Sequence, residues 1–191
     1  MIPQKKWGIL ITPFLSALVF VTLSEPFISQ SHGQYIAQVP TNERAALKEV
    51  FPEADVFSIK GGQLPHHKAY KTDPETGTNR LVGVIFLTAE VESDEFAYGG
   101  PIYIMVGLTT SGIITKVRIV EHYEPYGYFS IDPPEFAHQF EGKTILDRFE
   151  EGRDIDSVTT ATITVDGAAR VIKKSARKIA RKYLAPEKKK K

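Results

Sequence analysis

Apolar residues recur at helical spacing near the start of the polar body of this chain, and they predict a short helix there. The residues that share its apolar face are Ala46, Leu47, Val50 and Phe51. We expect this helix to begin with Thr41 or Asn42 as its N-cap and to end before Pro52, which cannot continue it.

Short apolar runs separated by turn residues follow, and they predict an antiparallel sheet. The predicted strands cover residues 54–59, 65–70, 81–91, 102–108 and 113–120. The run 81–91 is almost continuously apolar, which is typical of a central strand covered on both faces. Residues 72–79 are rich in Asp, Pro and Gly, and residues 111–112 form a Ser-Gly connection, so both predict hairpin turns.

The last third of the chain combines short helical patterns with one Thr-rich segment. Residues 133–140 and 144–149 predict short helices. Residues 156–164 contain four Thr together with Val and Ile, a composition typical of a β-strand. A final helix is predicted from about Asp166 to Leu184. Its apolar stripe consists of Val171 or Ile172, Ala176, Ile179 and Tyr183. The whole pattern indicates an α+β fold, a bent antiparallel sheet with flanking helices.

The beginning of the chain has the pattern of an export segment. Lys5 and Lys6 precede an apolar run from Trp7 to Leu23. This is typical of a signal peptide or of an uncleaved membrane anchor, and a buried core helix is the remaining alternative. Either export signal would place the rest of the chain outside the cytoplasm, in the periplasm or at the cell surface. The predicted organisation is an export segment at 1–24, a linker at 25–40, one domain at 41–185 and a basic disordered tail at 186–191.

Composition narrows the chemistry that the chain can perform. Cysteine is absent from the 191 residues. Disulfides, thiolate metal sites, Cys-ligated iron–sulfur clusters and Cys nucleophiles are therefore excluded. A redox role would need a bound organic cofactor or a metal without thiolate ligands.

Charge is unevenly distributed along the chain. From Asp166 onward there are eleven Lys or Arg and two Asp or Glu, which gives +9, whereas the other residues sum to −8. A basic helix of this kind can contact an anionic membrane surface or an acidic redox partner, or it can simply be a solvated face. We do not expect nucleic acid, because export removes the chain from it and few aromatics are interleaved.

Four short segments together resemble the FMN-binding domain family. The segments are Tyr98-Gly99-Gly100-Pro101-Ile102, Ser111-Gly112-Ile113-Ile114, Glu121-His122-Tyr123-Glu124-Pro125 and residues 156–164. They are similar to that family's aromatic-Gly-x-Pro-Ile, Asp-Gly-x-Ile and His-x-Glu-Pro segments and to its flavinylation motif. Their order and spacing make the match specific over roughly residues 47–180. The His-x-Glu-Pro loop looks most like the FMN domain of membrane regulators of nitrous-oxide and nitrite respiration. Other known relatives are subunits of the Rnf and sodium-pumping NADH:quinone reductases.

The resemblance implies FMN held by a phosphoester bond to the Thr that follows Ala in the flavinylation motif, which is Thr162 here. The other motif positions are Asp156, Thr159, Ala161 and Thr164. Candidates for the surroundings of the flavin ring are Tyr98, Gly99, Gly100, His122 and Glu124. Amides at the start of the last helix could face the phosphate. Plain helix capping is the alternative for Asp156 and Asp166. Many relatives have Gly where this chain has Thr160, and a Cβ there could hinder the modifying enzyme.

Other candidate sites are weaker. His66 and His67 are adjacent, so in a strand they would point to opposite faces and could not easily share one metal ion. We predict no metal site. No Ser/His/Asp or paired-carboxylate arrangement stands out, so we predict no catalytic residue.

The resemblance implies an extracytoplasmic electron-transfer flavoprotein that is matured by a magnesium-dependent flavin transferase, with FAD as the source of FMN. It would exchange electrons with redox partner proteins and would be a carrier more than a substrate-converting enzyme. Two alternatives stay open. One is a flavin-dependent reductase of a small substrate or quinone, and the other is a non-redox sensing or binding module of the same fold.

Overall fold

The structure is a computed structural model that describes Val39 and residues 41–184. The chain divides into a unit of residues 1–33 and a unit of residues 34–191, and everything below concerns the second. The predicted export segment, nearly all of the linker and the basic tail lie outside the described residues, so the proposed domain boundaries stay predictions. Among residues 41–184, no helix combines the length and the apolar content that a membrane crossing requires.

Five antiparallel strands and five α-helices make up the described part, with the sheet in the order β1-β2-β3-β4-β5. The strands are β1 Val56–Phe57, β2 His67–Thr72, β3 Asn79–Leu87, β4 Tyr103–Thr109 and β5 Ile114–Glu121. The helices are α1 Thr41–Val50, α2 Thr88–Val91, α3 Gly127–Ser130, α4 Pro134–His138 and α5 Thr162–Ile179, and a π-helical segment, Ala180–Leu184, follows α5. The predicted α+β class is confirmed. The predicted first strand, 54–59, is shorter than expected.

The central strand β3 is covered on both faces, as its apolar run predicted. On one face Ile85 packs with Leu47 of α1 and with Phe51, which follows that helix. On the other face Val84 and Phe86 belong to the larger core, which α5 completes. Burial on both sides leaves residues 83–86 of this strand without a solvent face, and that explains why this part of its sequence does not alternate.

The predicted strand 81–91 is wrong in its last four residues, which form α2. Thr88 is fully buried, and its hydroxyl donates to the carbonyl of Ile102 at 2.9 Å. The same oxygen accepts the N–H of Ile104 at 3.0 Å. A side chain thus takes the place of main-chain ladder bonds, and the backbone can turn away from β4.

The predicted Thr-rich strand is also wrong. Residues 156–161 are irregular, and α5 begins at Thr162 instead of near Asp166. Val165, Ala168 and Ile172 are fully buried in the core, so packing of one helical face outweighs the β propensity of the threonines. Residues 144–149 were predicted as a short helix, but they form an isolated β-bridge at Thr144, a turn and irregular chain.

Candidate functional site

Thr162 is the first residue of α5, and its side chain is exposed. The first main-chain bond of the helix runs from the N–H of Val165 to the carbonyl of Ala161, at 3.0 Å. The N–H groups before Val165 therefore have no partner within the helix. Among the described residues, no side chain caps this end. An exposed hydroxyl thus stands beside main-chain donors at the positive end of an 18-residue helix.

The residues just before Thr162 make the turn into the helix. Thr159 and Thr160 are exposed, whereas Ala161 is buried. Thr160 has a φ of +71°, in the left-handed region that favours glycine. Glycine, which many relatives of the resembled family have at this position, would adopt that backbone without the steric cost of a β-branched side chain.

A buried carboxylate joins three of the predicted site residues. Glu124 lies in the loop after β5 and is 6 % exposed. Its Oε1 accepts the N–H of Gly99 at 2.6 Å, and its Oε2 accepts the hydroxyl of Thr164 at 2.7 Å. We call Gly99, Glu124 and Thr164 the carboxylate bridge. It connects the loop before β4, the loop after β5 and the first turn of α5.

Glycine is required at position 99 by the closeness of the two loops. A Cβ built on Gly99 would lie 2.2 Å from the carbonyl oxygen of Tyr123. Gly100 has open space around it but a φ of +135°, so there the backbone conformation demands glycine. The loop before β4 and the loop after β5 must therefore keep their present backbone conformations for Glu124 to accept the N–H of Gly99.

His122 supports this loop rather than offering a free ring nitrogen. Its Nδ1 accepts the main-chain N–H of Glu124 at 3.1 Å, so the ring proton is on Nε2, which donates to Asp132 at 2.8 Å. A Cβ on Gly127 would lie 2.1 Å from the imidazole. The sequence analysis did not identify Asp132 or Gly127, since nothing in their spacing marks a partner of His122.

Exposed aromatic rings are concentrated on the loop before β4 and on the segment that runs from the loop after β5 into α3. They belong to Phe96, Tyr98, Tyr123, Tyr126 and Tyr128. Tyr98 is 68 % exposed, and Ile163, next to Thr162, is 60 % exposed. We call these five rings the aromatic surface. Rings of this kind can stack on a flat cofactor.

Asp156 is not brought into the carboxylate bridge. Its side chain is exposed, and its main-chain N–H donates to Oε1 of Gln139 at 2.7 Å. The capping alternative for Asp156 and Asp166 is wrong, because the N-cap residue of α5 is Ala161, and no side-chain cap bond forms there among the described residues. Asp166 instead pairs with Arg170 one turn along the helix.

Much of the basic face of α5 binds the domain itself. Arg170 and Lys174 both contact the carboxylate of Glu95. The hydrogen bond from Lys174, helped by Arg170, holds the pKa of Glu95 below its usual value. Lys178 lies 3.3 Å from Glu92, and Arg177 donates to main-chain carbonyls. Four basic residues of the predicted anionic-partner surface are therefore occupied in intramolecular contacts.

The two adjacent histidines lie in separate environments. Nδ1 of His66 is 2.8 Å from the carbonyl of Leu64, and its ring packs on Tyr183 with centroids 4.2 Å apart. Burial lowers the pKa of His66, which favours a neutral ring. His67 instead contacts the carbonyl of Ser58 and the carboxylate of Glu43.

Comparison with known proteins agrees with the resemblance. Residues 97–177 match the family described as FMN-binding domain, and all four resembling segments fall inside that range. The chain is 25 % identical over 169 residues to one subunit of the ion-translocating oxidoreductase complex of Stutzerimonas stutzeri, covering 77 % of this chain and 71 % of that protein. The corresponding protein of Vibrio atlanticus is 23 % identical over 175 residues, with 82 % and 84 % covered.

A third relative shares only a segment of its length with this chain. The regulatory protein NosR of Stutzerimonas stutzeri is 27 % identical over an alignment of 150 residues, which covers 72 % of this chain and 20 % of that protein. The family match includes the carboxylate bridge, the start of α5 and Thr162. The match to the FMN-binding domain family thus covers residues 97–177 of this chain.

Proposed function

We propose that this protein carries FMN in a phosphoester bond to the hydroxyl oxygen of Thr162 and relays electrons between redox proteins outside the cytoplasm. The observation that carries the proposal is the exposed hydroxyl of Thr162 at a helix N-terminus that no described side chain caps, within the residues matched by the family.

The residues at this end fit a phosphate diester. The main-chain N–H groups of Thr162, Ile163 and Thr164 precede the first helical bond and are donors for an anion. The helix dipole favours negative charge here by about 0.3–1 kcal/mol. Tyr98 would stack on the flavin ring, and the backbone at Gly99 and Gly100 would border it.

Attachment needs only a nucleophile from this chain. The hydroxyl oxygen of Thr162 forms a bond with the FMN phosphorus of FAD, the pyrophosphate bond breaks, and AMP leaves. The hydroxyl proton passes to a base on the flavin transferase, which also supplies magnesium. Asp156 and Thr159 are exposed before Thr162, where they would serve recognition by that enzyme.

The choice of Thr162 among neighbouring hydroxyls follows from exposure and position. Thr164 is 2 % exposed, and its hydroxyl proton is donated to Glu124. Thr159 is exposed but lies in the irregular segment, away from the uncapped helix end. Thr162 combines an exposed hydroxyl with that end.

Bound FMN would supply reversible electron uptake at its ring, and the protein would supply position and electrostatics. Two of the relatives are named as subunits of ion-translocating oxidoreductase complexes, which supports a place for this chain among redox partner proteins. A carrier role is favoured over substrate conversion because the ring would lie by exposed aromatic loops that a partner can reach.

Lys5 and Lys6, which precede the apolar N-terminal run, support an extracytoplasmic location for the rest of the chain. Arg181 and Lys182 are exposed after the basic residues that bind the domain itself, and they would meet an anionic membrane surface. A covalent tether suits that location, because dissociated flavin would be lost to the surroundings. A phosphatase fused behind residue 40 would be active only after export, and an inactive fusion would contradict the location.

The attachment is tested by producing the protein together with a flavin transferase and measuring its intact mass. We expect one added FMN moiety, lost in Thr162→Ala, kept in Thr162→Ser and kept in the control Ser157→Ala, which removes another exposed hydroxyl of the same segment. An adduct that survives Thr162→Ala would reject the site. An unmodified wild-type protein would reject the proposal.

A further inference from the structure

The carboxylate bridge places the buried acid Glu124 in contact with Thr164, which is two residues after the proposed attachment point. Both oxygens of Glu124 are engaged, one by the main-chain N–H of Gly99 and the other by the hydroxyl of Thr164. These donors are neutral groups, so hydrogen bonds and not an ion pair hold the carboxylate in these two contacts. Both contacts are short, at 2.6 Å and 2.7 Å, and they engage both oxygens of one side chain, which makes this bridge a rigid link.

The main chain of Glu124 is itself held in place by a hydrogen bond to His122. His122 accepts the main-chain N–H of Glu124 and donates from its other nitrogen to Asp132. Gly127 leaves the room that the imidazole ring occupies. The loop is therefore held at its backbone, and the side chain of Glu124 leaves it in a defined direction.

The fixed position of Glu124 restrains the first turn of α5. Thr164 is one of the residues whose N–H precedes the helical bonding pattern, so the helix itself holds this turn loosely. The bond from the hydroxyl of Thr164 to Glu124 ties the turn to the loop that carries Gly99. The same bond uses the only proton of the Thr164 hydroxyl.

We propose that Glu124 is a positioning residue for the attachment of FMN: through Gly99 and Thr164 it fixes the first turn of α5, holds the hydroxyl of Thr162 at the surface in one place, and keeps the hydroxyl of Thr164 out of the reaction. This inference rests on the proposed attachment at Thr162. Glu124 acts through its neighbours and does not touch the reacting atoms. Misplacing a reacting group by 1 Å can cost roughly a hundredfold in rate, which gives positioning a measurable effect.

The test measures the rate of flavin transfer from FAD to purified full-length protein by a purified transferase, at saturating concentrations of both substrates. We expect Glu124→Ala to lower this rate by about tenfold or more. Glu124→Gln should stay within about threefold of wild type, since its amide oxygen accepts from Gly99 and its amide nitrogen donates to Thr164. Glu121→Ala is the matched control three residues earlier, at the end of β5, because Glu121 accepts from the hydroxyl of Tyr123 and takes no part in the bridge.

Two further measurements separate positioning from loss of folding. Circular dichroism melts identify variants that do not fold, and Thr164→Val then replaces Glu124→Ala, with an expected loss of about threefold or more. Peptide mass mapping locates the adduct, which we expect at Thr162 alone in wild type and Glu124→Gln.

A folded Glu124→Ala with the wild-type saturated rate would overturn the positioning role, while an adduct on wild-type Thr162 would leave the proposed function standing. A Glu124→Gln as slow as Glu124→Ala would also overturn it, because the charge and not the bridge would then matter. A wild-type protein without any adduct would instead remove the proposed function, and the inference with it.

Discussion

The hydroxyl of Thr164 donates a 2.7 Å hydrogen bond to Oε2 of Glu124, and so joins α5 to a loop 40 residues earlier in the chain. Both partners are buried. A polar pair of this kind is costly to break on one side only, because the remaining group is left buried without its partner. The pair therefore contributes to stability as well as to the geometry around Thr162.

Removing the hydroxyl alone should destabilise the fold. Thr164→Val keeps the shape of the side chain but leaves Oε2 of Glu124 without its donor, so we expect the free energy of unfolding to fall by about 1–3 kcal/mol. Urea denaturation followed by circular dichroism measures this. Thr164→Ser keeps the donor and should lose less than about 1 kcal/mol. Equal losses for Val and Ser would show that the bond does not matter to stability.

Glycine in place of Thr160, the left-handed residue shortly before α5, should raise the free energy of unfolding. Thr160 has a φ of +71°, so Thr160→Gly relieves a steric cost of roughly 1–2 kcal/mol, part of which the greater freedom of glycine in the unfolded chain offsets. We expect a net gain of about 0.5–1 kcal/mol in the free energy of unfolding. The neighbouring exposed Thr159, which has no such φ, provides the control, and Thr159→Gly should not stabilise. A loss of stability in Thr160→Gly would contradict the assigned backbone.

Close approach of the two loops makes Gly99 intolerant of any side chain. The Cβ of Gly99→Ala would lie 2.2 Å from the main-chain oxygen of Tyr123, so one loop must move and Glu124 loses its contact. We expect a loss of about 2 kcal/mol or more in the free energy of unfolding, together with slower flavin transfer. Gly61→Ala is the matched control, because open space surrounds that position. Normal stability and transfer in Gly99→Ala would show that the loops do not need this contact.

Acid should weaken the attachment of residues 92–97 to α5. The hydrogen bond from Lys174, together with Arg170, depresses the pKa of Glu95 below its usual value of 4.5. A depressed folded-state pKa stabilises the fold above the unfolded-state pKa, and this contribution is lost as pH falls through the folded-state value. Glu95→Gln should therefore show a flatter decline in urea midpoint below about pH 4.5 than wild type. Parallel declines in the two proteins would exclude Glu95 as a source of acid sensitivity.

Local sequence patterns were sufficient to predict the structure wherever a residue's neighbours in sequence are also its neighbours in space. Leu47 and Val50 predicted the buried face of α1, and the Asp, Pro and Gly residues at 72–79 predicted the hairpin between β2 and β3. The apolar run predicted a central strand covered on both faces, and the strand is buried on both faces at residues 83–86. The four resembling segments indicated the FMN-binding family, and the family match over residues 97–177 confirmed it.

Tertiary contacts determined the parts of the fold and of the candidate site that local sequence patterns did not predict. The threonines at 159–164 favour a strand by themselves, yet burial of Val165, Ala168 and Ile172 against the sheet makes the chain helical from Thr162. The role of Glu124 depends on donors 25 residues before it and 40 residues after it, and no local spacing encodes that meeting. Side-chain chemistry along the chain specifies which groups can bond, but only packing of the sheet against α5 brings Gly99, Glu124 and Thr164 within hydrogen-bond distance.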